Sequence, residues 1–534
     1  MTRSTRFEVL HAALLSATDE MGIVLKRSSH SPIIREMDDF SCAIFDAEGA
    51  LVAQGDFIPA QLGAMSTVVG STIARHRGSL AEGDVFIAND PYDGGAHTLD
   101  VNVLAPIFVD GRLVAWSGTA AHHADFGGPN PGTEGPELGE LFAEGLVLPP
   151  IRLHRAGRPL DDVYDLVAAN VREPVATLSD LRAQVAACAA GARRVLELVD
   201  RHGVEVVEAT LAEVLDYGER RAAARLAELP DGETEAEGFL DDDGRDGPPT
   251  RIHARLVKRG ETLTVDLSGS APQIAGALNN PWATTRACVV YLVKALTDPE
   301  FPFNDGAMRV IEIVCPEGSV LRPRRPGAVS VRHLTAQRTA DTLIRAAGAL
   351  WPRLDVGSGM VGFFGFNLAC TSRRTGRRTT MQDVLGGGTG GHPNDGGLDG
   401  VDTYMSNVGL LPIEVAESEY PVLVLDTALL PGSGGAGQHP GGSGIRREYL
   451  VLEGPDHATI YCEQSDARFV PRGAAGGRNG STTRFRVLDP DGNVVPTRSK
   501  TTVTLPPGAR VIVETGGGGG WGDPRGSSAE DPAR

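Results

Sequence analysis

The chain has 534 residues, 41% hydrophobic and 22% charged, a profile expected of a multi-domain globular protein with ample apolar mass for its cores. A formal net charge of −19, with no basic stretch interleaved with aromatics, excludes nucleic acid as the expected partner. The six cysteines, among them Cys42, Cys188 and Cys462, show no CxxC spacing, which argues against both a disulfide frame and a thiolate zinc site.

The opening Met1-Thr-Arg-Ser-Thr-Arg-Phe-Glu lacks a secretory apolar run, and no stretch reaches the roughly eighteen apolar residues that span a bilayer. A cytoplasmic protein with no membrane partner is expected. Apolar positions at helical spacing (Val9, Leu10, Ala13, Leu14, Met21, Ile23, Val24) predict an amphipathic helix over residues 7 to 26. Residues 41–53 read as a hairpin around Glu48-Gly49, and residues 84–88 as a short buried strand. Residues 101–109 and 113–120 form a second hairpin, closed by Asp110-Gly111. From 178 to 229 the pattern is Ala/Leu/Arg/Glu-rich and predicts two long helices, broken near His202-Gly203. Residues 230–249, acidic and Gly-rich, read as an exposed turn or domain seam. A hairpin around Arg259-Gly260 follows over 252–267, then helices over 284–296 and 342–350.

Glycine is the compositional anomaly: 67 residues, against a usual share of about 7%. Beyond Leu385 it forms runs, including Gly386-Gly-Gly-Thr-Gly-Gly391 and Gly516-Gly-Gly-Gly-Gly520, none followed by the Gly-Lys-Ser/Thr of a phosphate-binding loop. These glycines are expected to supply positive φ and close backbone approach in a tightly wound β region. The expected fold is α+β (mixed α/β) and multi-domain. Its parts are an N-terminal α/β metal-site region (1–175), a long helical segment (176–230), a central α/β region (231–385), a glycine-rich β region (386–525) and a disordered tail (526–534).

The chemistry concentrates in two turn segments. Asn89-Asp-Pro-Tyr-Asp-Gly-Gly-Ala-His-Thr-Leu-Asp100 carries His97 and Asp100, and Ala121-His-His-Ala-Asp-Phe-Gly-Gly128 carries His122, His123 and Asp125. The second hairpin would bring His97 and Asp100, at the start of one strand, beside His122, at the end of its partner. Imidazole nitrogen suits Zn, Mn or Fe, and carboxylate oxygen shifts the preference toward Mn and harder ions. The alternative is that these are loop polars making turn hydrogen bonds, and spacing alone does not separate the two.

The chain resembles the hydantoinase B / oxoprolinase B family over nearly its whole length. The matching blocks are Asp39-Phe-Ser-Cys-Ala-Ile-Phe-Asp46, the two turn segments, Glu144-Gly-Leu-Val-Leu-Pro-Pro150, Gly276-Ala-Leu-Asn279, Pro316-Glu-Gly318, Pro412-Ile-Glu414, Arg446-Arg-Glu-Tyr449 and Gly517-Gly-Gly-Gly-Trp-Gly-Asp-Pro524. The resemblance implies a hetero-oligomer in which an A-type ATPase subunit of actin/hexokinase-like fold phosphorylates an amide or carbonyl oxygen with ATP. The B component then completes the reaction at one divalent metal ion (Zn, Mn or Fe). Carried over residue by residue, the metal ligands fall on Asp39, His97, Asp100 and His122. His123 and Asp125 are the catalytic candidates, for orientation of the ligands or proton transfer. The implied activity is ATP-dependent ring opening of a cyclic amide by water, dependent on the partner. The alternatives are a component of a ketone carboxylase of the acetone or acetophenone type, or a non-catalytic scaffold for the A-type ATPase. The chain departs from the family's pattern at Phe57 and Gln61, where many relatives carry histidines.

Overall fold

The two N-terminal hairpins and their neighbours assemble into one antiparallel sheet of seven strands. In spatial order these are Leu51–Gln54, Phe40–Asp46, Arg112–His122, Asp100–Val109, Val85–Ala88, Ile151–Arg155 and Arg158–Pro159. The structure, a computed structural model, describes residues 3–524 except 56, 246, 300 and 455; the tail expected at 526–534 lies outside the described residues. The central strands are buried nearly end to end, because helices cover both faces. The helix Pro174–His202 lies against Asp100–Val109 and Arg112–His122, sending Gln184 to the Val101 carbonyl at 2.8 Å. On the opposite face, Pro59–His76 places Met65 and Val69 in the core.

The predicted N-terminal helix runs over Arg3–Ser28, and the two long helices over Pro174–His202 and Val204–Glu228, with Gly203 at φ 86° between them. Among the described residues no helix is long and apolar enough to cross a membrane. One expectation needs correction. The acidic stretch read as an exposed turn or seam contains the strand Gly232–Leu240, paired antiparallel with Thr250–Arg259. Its acidic residues sit at the alternate exposed positions, where Glu233, Glu235 and Glu237 meet Arg255, His253 and Arg251 across the strands at 2.7, 3.2 and 2.8 Å.

The helix Arg332–Leu350 begins ten residues before the expected start. Its first turns carry Arg332, His333, Thr335, Gln337 and Arg338, which are polar in sequence yet buried. The pairs Phe364–Thr371 with Arg378–Leu385, and Val422–Leu430 with Gly444–Val451, head two further antiparallel sheets.

The glycine runs serve close approach rather than positive φ. Gly388, Gly442 and Gly518 have no left-handed backbone. They lie side by side as extended segments: the Gly518 amide donates to the Gly442 carbonyl (2.9 Å), Gly442 to Thr389 (2.9 Å) and Gly388 to Gly516 (3.0 Å). A Cβ on Gly388 would lie 1.8 Å from the Gly442 oxygen, and one on Gly518 1.9 Å from the Thr389 oxygen. Only glycine fits there.

Candidate metal centre

Three neighbouring strand ends build the site. Asp100 stands directly opposite His122 in the ladder, and Phe40 opposite Ala121. The His122 amide donates to the Asp39 carbonyl at 3.0 Å, which continues the pairing one step beyond the strand and brings Asp39 alongside. Asp38, just before Asp39, and the β-branched Thr133, just before Glu134, are both held at left-handed φ (59° and 62°). Such backbone costs energy and concentrates at functional positions.

The side chains converge on a buried cavity of about 50 Å³. His122 Nδ1 lies 3.5 Å from an Asp100 oxygen and 3.8 Å from an Asp39 oxygen. His97 Nε2 lies 3.3 Å from the other Asp100 oxygen, and its ring centroid 5.1 Å from that of His122. Asp39, Asp100 and His122, and separately His97, His122 and Glu134, offer ligand atoms all within 4.8 Å of one another. Donors around one ion at 2.0–2.2 Å stand roughly 3–3.5 Å apart; the 3.3 and 3.5 Å separations match this, and the 3.8 Å to Asp39 is slightly wider.

The donor chemistry fits a cation as well. His97 Nδ1 donates to the Ser330 carbonyl at 2.9 Å, since a carbonyl can only accept. Burial lowers the His97 pKa despite Asp100 beside it, so its ring is neutral and Nε2 carries a lone pair. That buried Nε2 makes no hydrogen bond. An imidazole locked through one nitrogen with the other aimed at carboxylates is the usual orientation of a ligating histidine. Burial also raises Asp39, to about 6, with Asp100 adding to the effect and His122 opposing it. Burial opposes ionisation of Asp100, but His97, Arg332 and His122 overcome it and hold the carboxyl well below its usual range. His122 is raised because the carboxylates of Asp39 and Asp100 outweigh its burial.

Residues that sequence reasoning missed complete the cavity. Gln61, in the first turn of Pro59–His76, donates Nε2 to Asp39 (2.9 Å) and Asp100 (3.1 Å). The sequence marks it only as a departure from the family's histidine. Phe57, the other departure, packs on Phe40 with ring centroids 5.2 Å apart and does not line the cavity. Arg332 binds the second Asp100 oxygen at 2.5 Å. Glu134 accepts from Asn367 (2.8 Å) and from the Tyr461 hydroxyl, and faces His333 Nδ1 at 3.7 Å. His333 stacks on Phe363 and its buried Nε2 has no hydrogen-bond partner; burial, then Arg332, lowers its pKa well below the usual value. Behind His97, Glu144 accepts the amides of Val329 and Ser330 at 2.6 Å each, fixing the loop that presents the Ser330 carbonyl.

Not every expected residue joins the cluster. The structure brings together Asp39, His97, Asp100 and His122. His123 points to the other face of the sheet, where Nε2 meets Gln184 at 3.0 Å. Asp125 is paired with Arg172 at 2.6 Å, beyond the strand end.

A model of the hydantoinase B/oxoprolinase family matches residues 4–524. The chain is 32% identical over 530 residues to the beta subunit of the caprolactamase of Pseudomonas jessenii, covering 97% of this chain and 90% of that one. It is 31% identical to the B component of a putative D-/L-hydantoinase of a Pseudomonas species, covering 97% and 89%. The crystal structure of the ATP-dependent caprolactamase from Pseudomonas jessenii superposes with a TM-score of 0.90 at 29% identity, over 98% of this chain and 92% of that one. An acetone carboxylase structure shares the fold with a TM-score of 0.89 at 18% identity, over 98% and 76%.

Proposed function

Because the chain belongs to the hydantoinase B/oxoprolinase family, we propose that it is the metal-dependent B component of an ATP-dependent cyclic amidohydrolase. The observation that carries this reading is the convergence of Asp39, Asp100 and His122 within ligand reach of one another, with His97 facing Asp100 at 3.3 Å across the same buried cavity. An amide is a poor electrophile, and phosphorylation of its oxygen by an A-type ATPase subunit creates a leaving group and an activated carbon. A divalent Zn, Mn or Fe ion on the four donors would supply Lewis acidity, lowering the pKa of a water and polarising a substrate oxygen.

The chain's own groups do the rest. Gln61 and Arg332 hold the two carboxylates in place and offset their mutual repulsion. Tyr461 and Asn367 both donate to one oxygen of Glu134, leaving its other oxygen toward His333. His333, kept neutral by burial and by Arg332, is suited to hydrogen-bond a group inside the cavity rather than to hold a proton. Ile33, Ile58, Phe363 and Val384 line the walls and exclude bulk water. His123 and Asp125 enter as positioning residues for the segment that follows His122, His123 held by Gln184 on the other face of the sheet and Asp125 by Arg172 beyond the strand end.

The glycine-run amides are committed to neighbouring backbone carbonyls and hydroxyls, as Gly388 is to Gly516, Gly519 to Ser358 and Gly516 to the Thr483 hydroxyl, rather than set out as a phosphate cradle. Phosphorylation is therefore assigned to the partner, and the chain alone is expected neither to hydrolyse ATP nor to open a cyclic amide. The test is reconstitution with an A-type ATPase subunit, ATP and a divalent metal. Hydantoins, lactams and 5-oxoproline are compared with ketones supplied with labelled bicarbonate. Ring opening should require partner and ATP together. Opening by the isolated chain at a comparable rate refutes the two-component reading, and label entering a ketone without any ring opening reassigns the chemistry to carboxylation.

A further inference from the structure

A second cavity, of about 420 Å³, opens beside the metal centre, a volume suited to a small molecule. It lies between residues 30–36, the start of the helix Pro174–His202, and the turn joining the strands Phe364–Thr371 and Arg378–Leu385. In a chain of net charge −19, its wall carries Arg35, Arg172, Arg374, Arg377 and Arg378. Three glutamates share that wall, Glu36, Glu173 and Glu419; Glu36 pairs with Arg35 at 3.1 Å and Glu419 with Arg374 at 2.7 Å, and Arg172 is held by Asp125, so the five guanidinium groups face partly compensating carboxylates. Burial pushes Glu173 up to about 7, so at neutral pH it carries only part of a negative charge.

The helix adds to this field. Val175 and Ala176 line the cavity from the first turn of a 29-residue helix, where amides have no carbonyl one turn earlier to bind. Helix starts of this kind favour phosphate and carboxylate groups. Two wall residues, Ser31 and Thr380, also carry buried hydroxyls with no hydrogen-bond partner.

The two cavities share a wall. Thr380 lines the arginine cavity, and Gln382, two residues further along the same strand or about 7 Å, lines the metal cavity. Pro32 and Ile33 divide between them in the same way. We propose that this arginine cavity receives the phosphoryl group of the activated substrate, so that a phosphorylated small molecule is captured next to the carboxylate–imidazole cluster. The inference deepens the amidohydrolase reading and rests on it. An acidic segment of the partner is the competing occupant; the helix-start amides and the unpartnered Ser31 and Thr380 hydroxyls favour the small anion.

The test titrates the full chain with inorganic phosphate, acetyl phosphate and malonate, following heat of binding, for wild type, Arg35→Gln, Arg377→Gln and Thr380→Val. Arg35 and Arg377 are exposed, so their substitution leaves the fold intact, and circular dichroism and metal content check this. Wild type should bind phosphate and acetyl phosphate more tightly than malonate, and each arginine variant should weaken phosphate at least about tenfold with metal content unchanged. In the reconstituted complex the arginine variants should raise KM more than they lower kcat. Absence of phosphate binding, unchanged affinity in both arginine variants, or a preference for malonate overturns the proposal. Variants that bind phosphate normally but no longer retain the partner overturn it in favour of a docking role. If phosphate binding behaves as expected while the wild-type complex opens no cyclic amide, the anion site stands and the amidohydrolase reading falls.

Discussion

His97→Ala and His122→Ala are each expected to strip the divalent ion, from about one per chain to none, and with it all ring-opening activity. Each removes a nitrogen donor from the proposed set of four, and the loss should exceed the roughly 10–100-fold in affinity that removal of an outer hydrogen-bond partner costs. What remains is a pair of buried carboxylates, Asp39 and Asp100, held by Gln61 and Arg332. That arrangement satisfies the carboxylates without an ion and gives a metal little to bind. His123→Ala is the control: one residue from His122 but across the sheet against Gln184, it should retain the ion. Elemental analysis of the purified proteins decides, and equal metal in wild type, His97→Ala and His122→Ala would sink the assignment.

The part of this centre that is legible in the sequence is the part built by local pairing. Asp110-Gly111 announces a hairpin, and a hairpin brings Asp100 and His122 to the same end of the paired strands; their direct opposition needs the one-residue bulge at Ile107/Phe108, which the turn alone does not announce. Arg332, His333, Asn367 and Tyr461 reach the same cavity from more than two hundred residues away, and no periodicity carries that information. The start of the helix Arg332–Leu350 is hidden for a related reason. Its first turns bury polar side chains that a pattern of apolar positions reads as loop, and those turns are the ones that deliver Arg332 and His333. Glu134 leaves even less trace, one of several acids in a Gly/Pro-rich turn, whose partners lie at Asn367 and Tyr461. The strand Gly232–Leu240 is obscured by its acids, which disappear as a turn signal once the basic residues of Thr250–Arg259 stand opposite. The glycine runs are visible as composition, but their mutual backbone packing has no two-residue or helical period to detect.

That packing gives a substitution of small size and large expected effect. Gly388→Ala should abolish stable folding of the glycine-rich region, at a cost well beyond the 1–3 kcal/mol typical of overpacking by about a methylene. The new methyl would sit 1.8 Å from the Gly442 oxygen, 2.4 Å from its carbon and 2.5 Å from the Gly518 nitrogen, all backbone atoms with no rotamer to escape into. Relief requires the three segments to separate, and separation breaks the amide–carbonyl bonds that join Gly388 to Gly516, Gly442 to Thr389 and Gly518 to Gly442. The damage should reach the metal cavity. Gly386 directly follows the strand Arg378–Leu385, which carries Gln382 and Val384 in the cavity wall, and the segment beyond the bundle returns as Met405, Ser406 and Val408 in the same wall. Gly70→Ala is the matched control with the opposite sign. Gly70 lies in the helix Pro59–His76 with nothing within 4 Å of its would-be Cβ, so alanine there should gain up to about 1 kcal/mol of helix propensity. Chemical denaturation of the two variants beside wild type measures both. A Gly388→Ala protein that unfolds at the wild-type midpoint would show that these segments are not closely packed, and the account of the glycine excess would fail with it.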